Sequence, residues 1–202
     1  ALTVSGLLNE EIGGPSVFPY QPEGMWSALT FQNMNEYSTN FYTPDTGNKV
    51  YRRGLYTFWK RTIVPPRMQI FDAAGRERCT VRKETTNTPM QALVLLNDPT
   101  FVEAARSLAM RMIDEGGDRA ADRIRYGYRL ALAQQPSLEK QEVFLGGLSD
   151  YQAHFSADPE AAAAFLSVGD TVVDETVPPI ELAAYTAVAS VMLNLDEMIT
   201  RE

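Results

Sequence analysis

The sequence predicts a mainly α-helical protein, with a helical bundle at its C-terminal end and a long, irregular, Gly- and Pro-rich region before it. Three observations support this class. Residues 88–202 carry apolar side chains at helical spacing, separated by helix-capping residues. Residues 13–50 are rich in Gly, Pro, Asn, Thr and Tyr and show no sustained periodicity. The chain of 202 residues, 45% of them hydrophobic, is long enough to bury a sizeable core.

We interpret residues 1–202 as a single domain with two parts, an irregular and basic part over 1–87 and a helical bundle over 88–202. The first nine residues resemble the end of a helix without its capping residue, and no signal-peptide pattern is present. We therefore expect the chain to be a C-terminal fragment of a longer protein.

The stretch YRRGLYTFWKRT, over 51–62, could form a helix or a strand, because its aromatic side chains suit either state. A helix is favoured, since Leu55, Phe58 and Trp59 would fall on one face. Pro65 and Pro66 would end this helix.

Helix signals become frequent after residue 87. Thr88 and Gln91 have the spacing of a capping box, in which each side chain binds the main-chain amide of the other residue. Asp98, Ser137 and Asp158 are predicted to cap three further helices. The helices expected from these signals cover about 89–96, 99–115, 118–133, 138–155, 161–166 and 180–199.

The last predicted helix is apolar almost all round between Leu182 and Leu195, which is typical of a central, buried helix. The connections between the predicted helices are short, so neighbouring helices should be mostly antiparallel. Both features favour a bundle packed around the last helix.

Several kinds of site are excluded by composition. The single cysteine, Cys79, rules out an internal disulfide and any multi-cysteine metal site, and the single histidine, His154, rules out centres with two or three histidines. No apolar run approaches the roughly 20 residues of a membrane-spanning helix. We expect no metal or cofactor in this chain, a buried structural thiol at Cys79 and an exposed His154.

The net charge of −8 conceals two opposed regions. Residues 49–84 contain ten basic and three acidic side chains, a net charge of +7, whereas the remainder of the chain carries −15. The basic segment could lie against acidic helices or missing neighbours, which is favoured because arginine tolerates burial in ion pairs. Alternatively, it forms a surface for an anionic partner. The acidic remainder argues against nucleic acid as that partner.

The basic segment also contains a mixture of aromatic and cationic side chains. Aromatic faces stack on sugars, and guanidinium groups bind sulfate, phosphate or carboxylate, so this mixture predicts ligand binding. The competing interpretation makes Phe58 and Trp59 anchors of the core. The residues of the mixture are Tyr51, Arg52, Arg53, Tyr56, Trp59, Lys60 and Arg61.

Four long strings resemble a known family. They are GGPSVFPYQPEGMW (13–26), YRRGLYTFWKR (51–61), FDAAGRERCTVRKETTNTPMQALVLLNDPTFVEAAR (71–106) and LNLDEMITRE (193–202). The strings closely resemble the C-terminal domain of large secreted proteins of planctomycetes and related marine bacteria. This domain is known as domain of unknown function 1553, or the planctomycete-specific secreted domain.

The resemblance implies a periplasmic or secreted location and partners upstream in the same polypeptide, often including a cytochrome-c-like domain whose haem would lie outside this chain. The family has no established catalytic residues to carry over. Its motif positions add Asp72, Arg76, Arg82 and Asn87 to the candidate ligand-binding residues. The chain departs from the usual motif at Ala74, near which proline is commoner.

Three hypotheses follow. The leading one is an uncharacterised helical module, non-catalytic or co-catalytic, that docks on upstream domains and binds an anionic polysaccharide. A rival makes the chain part of a carbohydrate-active or cytochrome-linked redox enzyme, whose site the upstream domains complete. In a third, the motifs serve only an interdomain interface. An enzyme predicts that Arg52, Asp72, Arg76 and Asn87 line one cleft without ion-pair partners, and a scaffold predicts that they are paired off and buried.

Overall fold

A computed structural model of the chain describes residues 1–22, 24, 26, 42–60, 64–74, 79, 81, 86–173 and 176–200. These residues form helices, turns and isolated β-bridges but no strand, which confirms the mainly α class. The chain divides into two compact units. We call Ala1–Leu7 with Asn87–Glu202 the bundle unit, and Leu8–Thr86 the loop-rich unit.

The described residues form a series of helices along the chain. They are α1 (Leu2–Ser5), α2 (Pro66–Ile70), α3 (Pro89–Asn97), α4 (Pro99–Glu115), α5 (Ala120–Leu132), α6 (Leu138–Ala157), α7 (Pro159–Leu166), α8 (Pro179–Leu193) and α9 (Asp196–Ile199). Two short 3₁₀ turns, Gly47–Lys49 and Gly54–Tyr56, lie in the loop-rich unit, together with α2.

The predicted caps are confirmed. The Gln91 amide donates to the Thr88 hydroxyl at 3.3 Å, and the Gln91 side chain accepts from the Thr88 amide at 2.8 Å. Asp98, Ser137 and Asp158 each accept from a first-turn amide of the helix that follows. Because these side chains satisfy amides that have no partner inside the helix, they fix where the bundle helices begin.

The central position of the last long helix is also confirmed. Every residue of α8 from Leu182 to Ser190 is buried, and the helix packs against α4, α5, α6 and α7. The apolar face of α4 supplies Leu108 and Met112, both fully buried. Apolar burial on this scale is the main favourable term for folding, so α8 organises the bundle.

A buried polar network that the sequence did not reveal joins α4 to the segment after α7. Glu103 and Arg106 are 3% and 4% exposed, and the Arg106 guanidinium donates to the carbonyls of Leu166, Val168 and Thr171. Glu103 accepts from the Thr171 amide. These bonds offset the cost of burying the two charges, and they fix the path of the irregular 166–171 segment.

The prediction of a helix over 51–62 is wrong for residues 51–60, and residues 61 and 62 lie outside the described residues. Parallel bridges pair Asn9 with Arg52 and Val17 with Thr57, on either side of the Gly54–Tyr56 turn. The Val17 amide donates to the Tyr56 carbonyl, and the Val17 carbonyl accepts from the Phe58 amide, both at 2.8 Å. Main-chain partners about 40 residues away in sequence therefore override the local helical spacing.

Gly169→Ala should destabilise the bundle unit by at least about 2 kcal/mol more than Gly117→Ala, measured by urea unfolding followed by helical circular dichroism. Both glycines have φ near +90°, but a Cβ at Gly169 would lie 2.6 Å from the Glu103 carboxyl carbon, whereas one at Gly117 meets nothing closer than 3.9 Å. Gly117→Ala is the control, because it introduces the same backbone strain without the steric clash. The difference between the two variants therefore measures the clash with Glu103. Equal losses would show that the Glu103 contact does not constrain this segment.

Candidate functional site

The arginine pair of the YRRG string is the centre of the candidate site. Arg52 is only 7% exposed. Its guanidinium donates to the main-chain carbonyls of Glu11 at 3.0 Å, Gly13 at 2.5 Å and Pro15 at 3.2 Å. The guanidinium carbon also lies 3.8 Å from the centroid of the Tyr56 ring. Arg52 is therefore enclosed by one loop and one aromatic ring.

Two glycines let the 11–15 loop wrap around this guanidinium. Gly13 and Gly14 have φ of 90° and 83°, a left-handed conformation that other residues rarely adopt. The Gly13 amide donates to the Tyr56 hydroxyl at 2.9 Å, so the same tyrosine holds both the loop and the arginine. The sequence signal for this arrangement is the Gly-Gly-Pro turn at 13–15.

The neighbours of Arg52 have different environments. Tyr51 is 3% exposed, and its carbonyl accepts from the Asn9 amide at 3.0 Å. Arg53 is exposed and has no ion pair with any residue that the structure describes. Trp59 and Lys60 are half-buried. The string thus turns Tyr51 and Arg52 inward and Arg53 toward solvent.

An aromatic cluster forms the interior of the loop-rich unit. The Phe18 and Phe58 rings stack with centroids 4.7 Å apart, and the Trp26 centroid lies 5.0 Å from that of Tyr42 and 5.9 Å from that of Phe58. Lys60 Nζ lies 4.8 Å from the Trp26 ring centroid, within the range of a cation–π contact. Lys60, a cation of the predicted mixture, therefore lies against Trp26, an aromatic ring from outside that mixture.

The polar end of this cluster is held by Tyr42. Burial raises the pKa of Tyr42 to about 12, although its hydrogen bond with Gln21 acts in the opposite direction. The hydroxyl donates to the Pro19 carbonyl. Asp45 fixes the adjacent main chain, because its carboxylate accepts from the Phe18 amide at 2.8 Å.

Asp72 joins the two ends of a basic stretch. It follows α2 with a φ of 57°, a left-handed conformation that Asp tolerates better than most residues. Its carboxylate accepts from the Thr86 amide at 2.9 Å and from the Thr86 hydroxyl at 2.7 Å. The intervening residues 73–85 carry Arg76 and Arg82, which lie outside the described residues, as does Arg61.

Asn87 belongs to the bundle unit, where its side-chain amide donates to the Asp196 carboxylate at the start of α9. The described part of the chain therefore gives Arg52, Asp72 and Asn87 three separate sets of protein partners. Each of these side chains fixes an irregular segment or a helix start.

The predictions of a buried Cys79 and an exposed His154 have opposite outcomes. Cys79 is exposed, so the predicted buried thiol is wrong, and the basic sequence around it explains why burial would be costly. His154 is exposed on α6, as predicted. Within the described ranges, no group of three or more His, Cys, Asp or Glu side chains could hold a metal ion.

The family assignment rests on most of the chain. Residues 1–147 match the model of a family, PSD1, described as a protein of unknown function (DUF1553). The chain belongs to this family. The DUF1553 match includes every candidate ligand-binding residue, and it ends within α6. Neither a search of the curated proteins nor a search of the solved structures gave a match.

The length and apolarity of a helix decide whether this DUF1553 chain could span a bilayer with it. Among the residues that the structure describes, none belongs to a helix of the length and apolarity required to span a bilayer. The longest helix, α6, has 20 residues, but charged side chains are spread along it.

Arg52→Lys should lower the free energy of unfolding of the loop-rich unit by about 2–4 kcal/mol, because a lysine has one nitrogen in place of the two that reach the three carbonyls, and it lacks the planar group that lies over the Tyr56 ring. Both tryptophans, Trp26 and Trp59, lie in this unit, so urea unfolding followed by tryptophan fluorescence reports it selectively. The matched control, Arg53→Lys, should change the value by less than about 0.5 kcal/mol. Similar losses in both variants would contradict the buried role of Arg52.

Proposed function

We propose that this DUF1553 chain is a non-catalytic helical module of an extracytoplasmic multidomain protein, and that its 49–84 segment binds an anionic polysaccharide. The observation that carries the proposal is the contrast between adjacent arginines. The Arg52 guanidinium is buried and hydrogen-bonded to main-chain oxygens of its own unit. Arg53, in contrast, is exposed and has no ion-pair partner among the described residues. An exposed, unpaired guanidinium is available to a sulfate or carboxylate.

Further cations on the same segment support an anionic ligand. Lys49 has a side chain that is 70% exposed, and its contact with Asp45 is long, at 3.7 Å. Such an exposed pair contributes little to stability and can be exchanged for a ligand anion. Lys60 adds a charge beside the Trp26 ring. With a net charge of +7, the segment would attract a polyanion at long range.

The contact between Asp72 and Thr86 supports the same proposal. It brings together the ends of a 13-residue stretch, 73–85, that carries four basic side chains against two acidic ones. The four are Arg76, Arg78, Arg82 and Lys83. Four basic side chains within 13 residues of sequence favour multivalent contact with a polymer.

The rival enzyme hypothesis has less support. It requires Arg52, Asp72 and Asn87 to present unpaired polar groups to a common cleft. Instead, the Arg52 guanidinium is bound by carbonyls, the Asp72 carboxylate by Thr86, and the Asn87 amide by Asp196. The periplasmic or secreted location and the upstream partner domains remain part of the proposal, on the strength of the resemblance to secreted proteins.

The test is a titration with heparin, a sulfated polysaccharide, followed by isothermal calorimetry at two salt concentrations. The chain should bind heparin, and the affinity should fall as salt rises, because screening weakens exposed charge pairs. Arg53→Glu should weaken binding by about threefold to tenfold, the range expected when one exposed contact becomes repulsive.

The matched control is Arg129→Glu, which makes the same charge change at an exposed arginine of α5 in the acidic remainder of the chain. This variant should bind heparin within about twofold of the wild-type chain. Absence of heparin binding, salt-independent binding, or equal losses in both variants would overturn the proposal.

A further inference from the structure

The bundle unit contains an apolar cavity that the family assignment does not explain. It has a volume of about 570 Å³ and lies between α6 and α8, beside the start of α9. Its walls include Val143, Phe144 and Gly147 of α6 and Val188 and Val191 of α8. This volume is within the range of small-molecule sites, which are mainly apolar with a few polar groups.

One polar group at this cavity has hydrogen-bonding capacity to spare. Lys140 Nζ donates to the Tyr128 hydroxyl at 3.1 Å and to Glu197 at 2.6 Å. These bonds, chiefly the one to Glu197, raise the pKa of Lys140 to about 12, so the ammonium stays protonated. An ammonium has three N–H donors, and the third has no partner among the residues that the structure describes.

The charges around Lys140 favour an uncharged ligand group. Glu197 already neutralises the ammonium, and Glu139 adds a further carboxylate to the cavity wall. A ligand carboxylate would therefore meet two like charges for one cation, whereas a hydroxyl oxygen can accept the spare N–H without that repulsion.

Gly147 keeps this cavity open. Neither backbone strain nor a close neighbour requires glycine here, because its φ is not positive and a Cβ would meet nothing nearer than Tyr151 at 4.0 Å. A glycine inside a helix costs about 1 kcal/mol relative to alanine. The absent side chain leaves room in the wall for an occupant, and Val143 beside it is 68% exposed.

We propose that this cavity binds a neutral, single-chain aliphatic molecule, with its chain between α6 and α8 and its hydroxyl oxygen accepting from Lys140. The site shares no residue with the 49–84 segment, so its test is independent of polysaccharide binding. Mainly apolar walls, the Lys140 donor and a neutralised rim together favour a fatty alcohol over a fatty acid or a sugar.

The experiment uses the whole chain and measures displacement of the neutral fluorophore N-phenyl-1-naphthylamine by 1-decanol, with decanoate as the charged comparison. Gly147→Leu fills the cavity and should weaken decanol binding at least about tenfold, the effect of losing a few methylene contacts. Gly146→Leu is the matched control. It makes the same change one residue away on the exposed side, where a Cβ meets nothing within 4 Å, and should stay within about twofold of wild type.

Both variants remove a glycine from a helix, so thermal unfolding should show each folded and at least as stable as the wild-type chain. Lys140→Met should weaken decanol binding by about threefold to tenfold, the value of one hydrogen bond. Three results would each overturn the proposal: no saturable displacement, tighter binding of decanoate than of decanol, or equal effects of the two leucine variants. A dimer that only Gly147→Leu dissociates, with decanol affinity unchanged, would assign the cavity to a second copy instead.

Discussion

In each unit, one buried arginine donates to the carbonyl groups of an irregular segment. Arg52 binds carbonyls of the 11–15 loop, and Arg106 binds carbonyls of the 166–171 segment. Burying a guanidinium costs several kcal/mol unless its N–H groups are paired, so the loops cannot leave without exposing an unpaired charge to an apolar interior. This constraint gives fixed paths to segments that lack the regular hydrogen bonds of helices.

The helices of the fold were predictable from the sequence, whereas the irregular segments, whose partners are distant in sequence, were not. Helices α3 to α8 carry their own signals, such as the Thr88 cap and the apolar α8, because capping and burial of a helix face depend on neighbouring residues. The 51–60 stretch does not, since its main chain pairs with residues 9 and 17. No local pattern records such a distant pairing, and the spacing of Leu55, Phe58 and Trp59 favoured a helix.

The candidate site was predictable in its location but not in its division of roles. Composition identified the basic segment, and the motif strings identified the family. The sequence could not distinguish Arg52 from Arg53, because the two differ in their hydrogen-bond partners. Arg52 alone donates to the carbonyl oxygens of Glu11, Gly13 and Pro15. The same is true of Cys79, whose exposure depends on tertiary packing. A charged residue acquires a structural or a binding role from its partners, which only the folded chain supplies.

The central claim is that one arginine of the pair builds the loop-rich unit and the other meets the ligand. Nuclear magnetic resonance of the side-chain Nε–Hε groups, recorded during titration with a heparin oligosaccharide, tests it directly. The Arg53 resonance should shift in a saturable manner, while the Arg52 resonance stays within its line width because the Arg52 side chain is buried. A shift of Arg52 as large as that of Arg53, or shifts confined to arginines of the bundle unit, would contradict it.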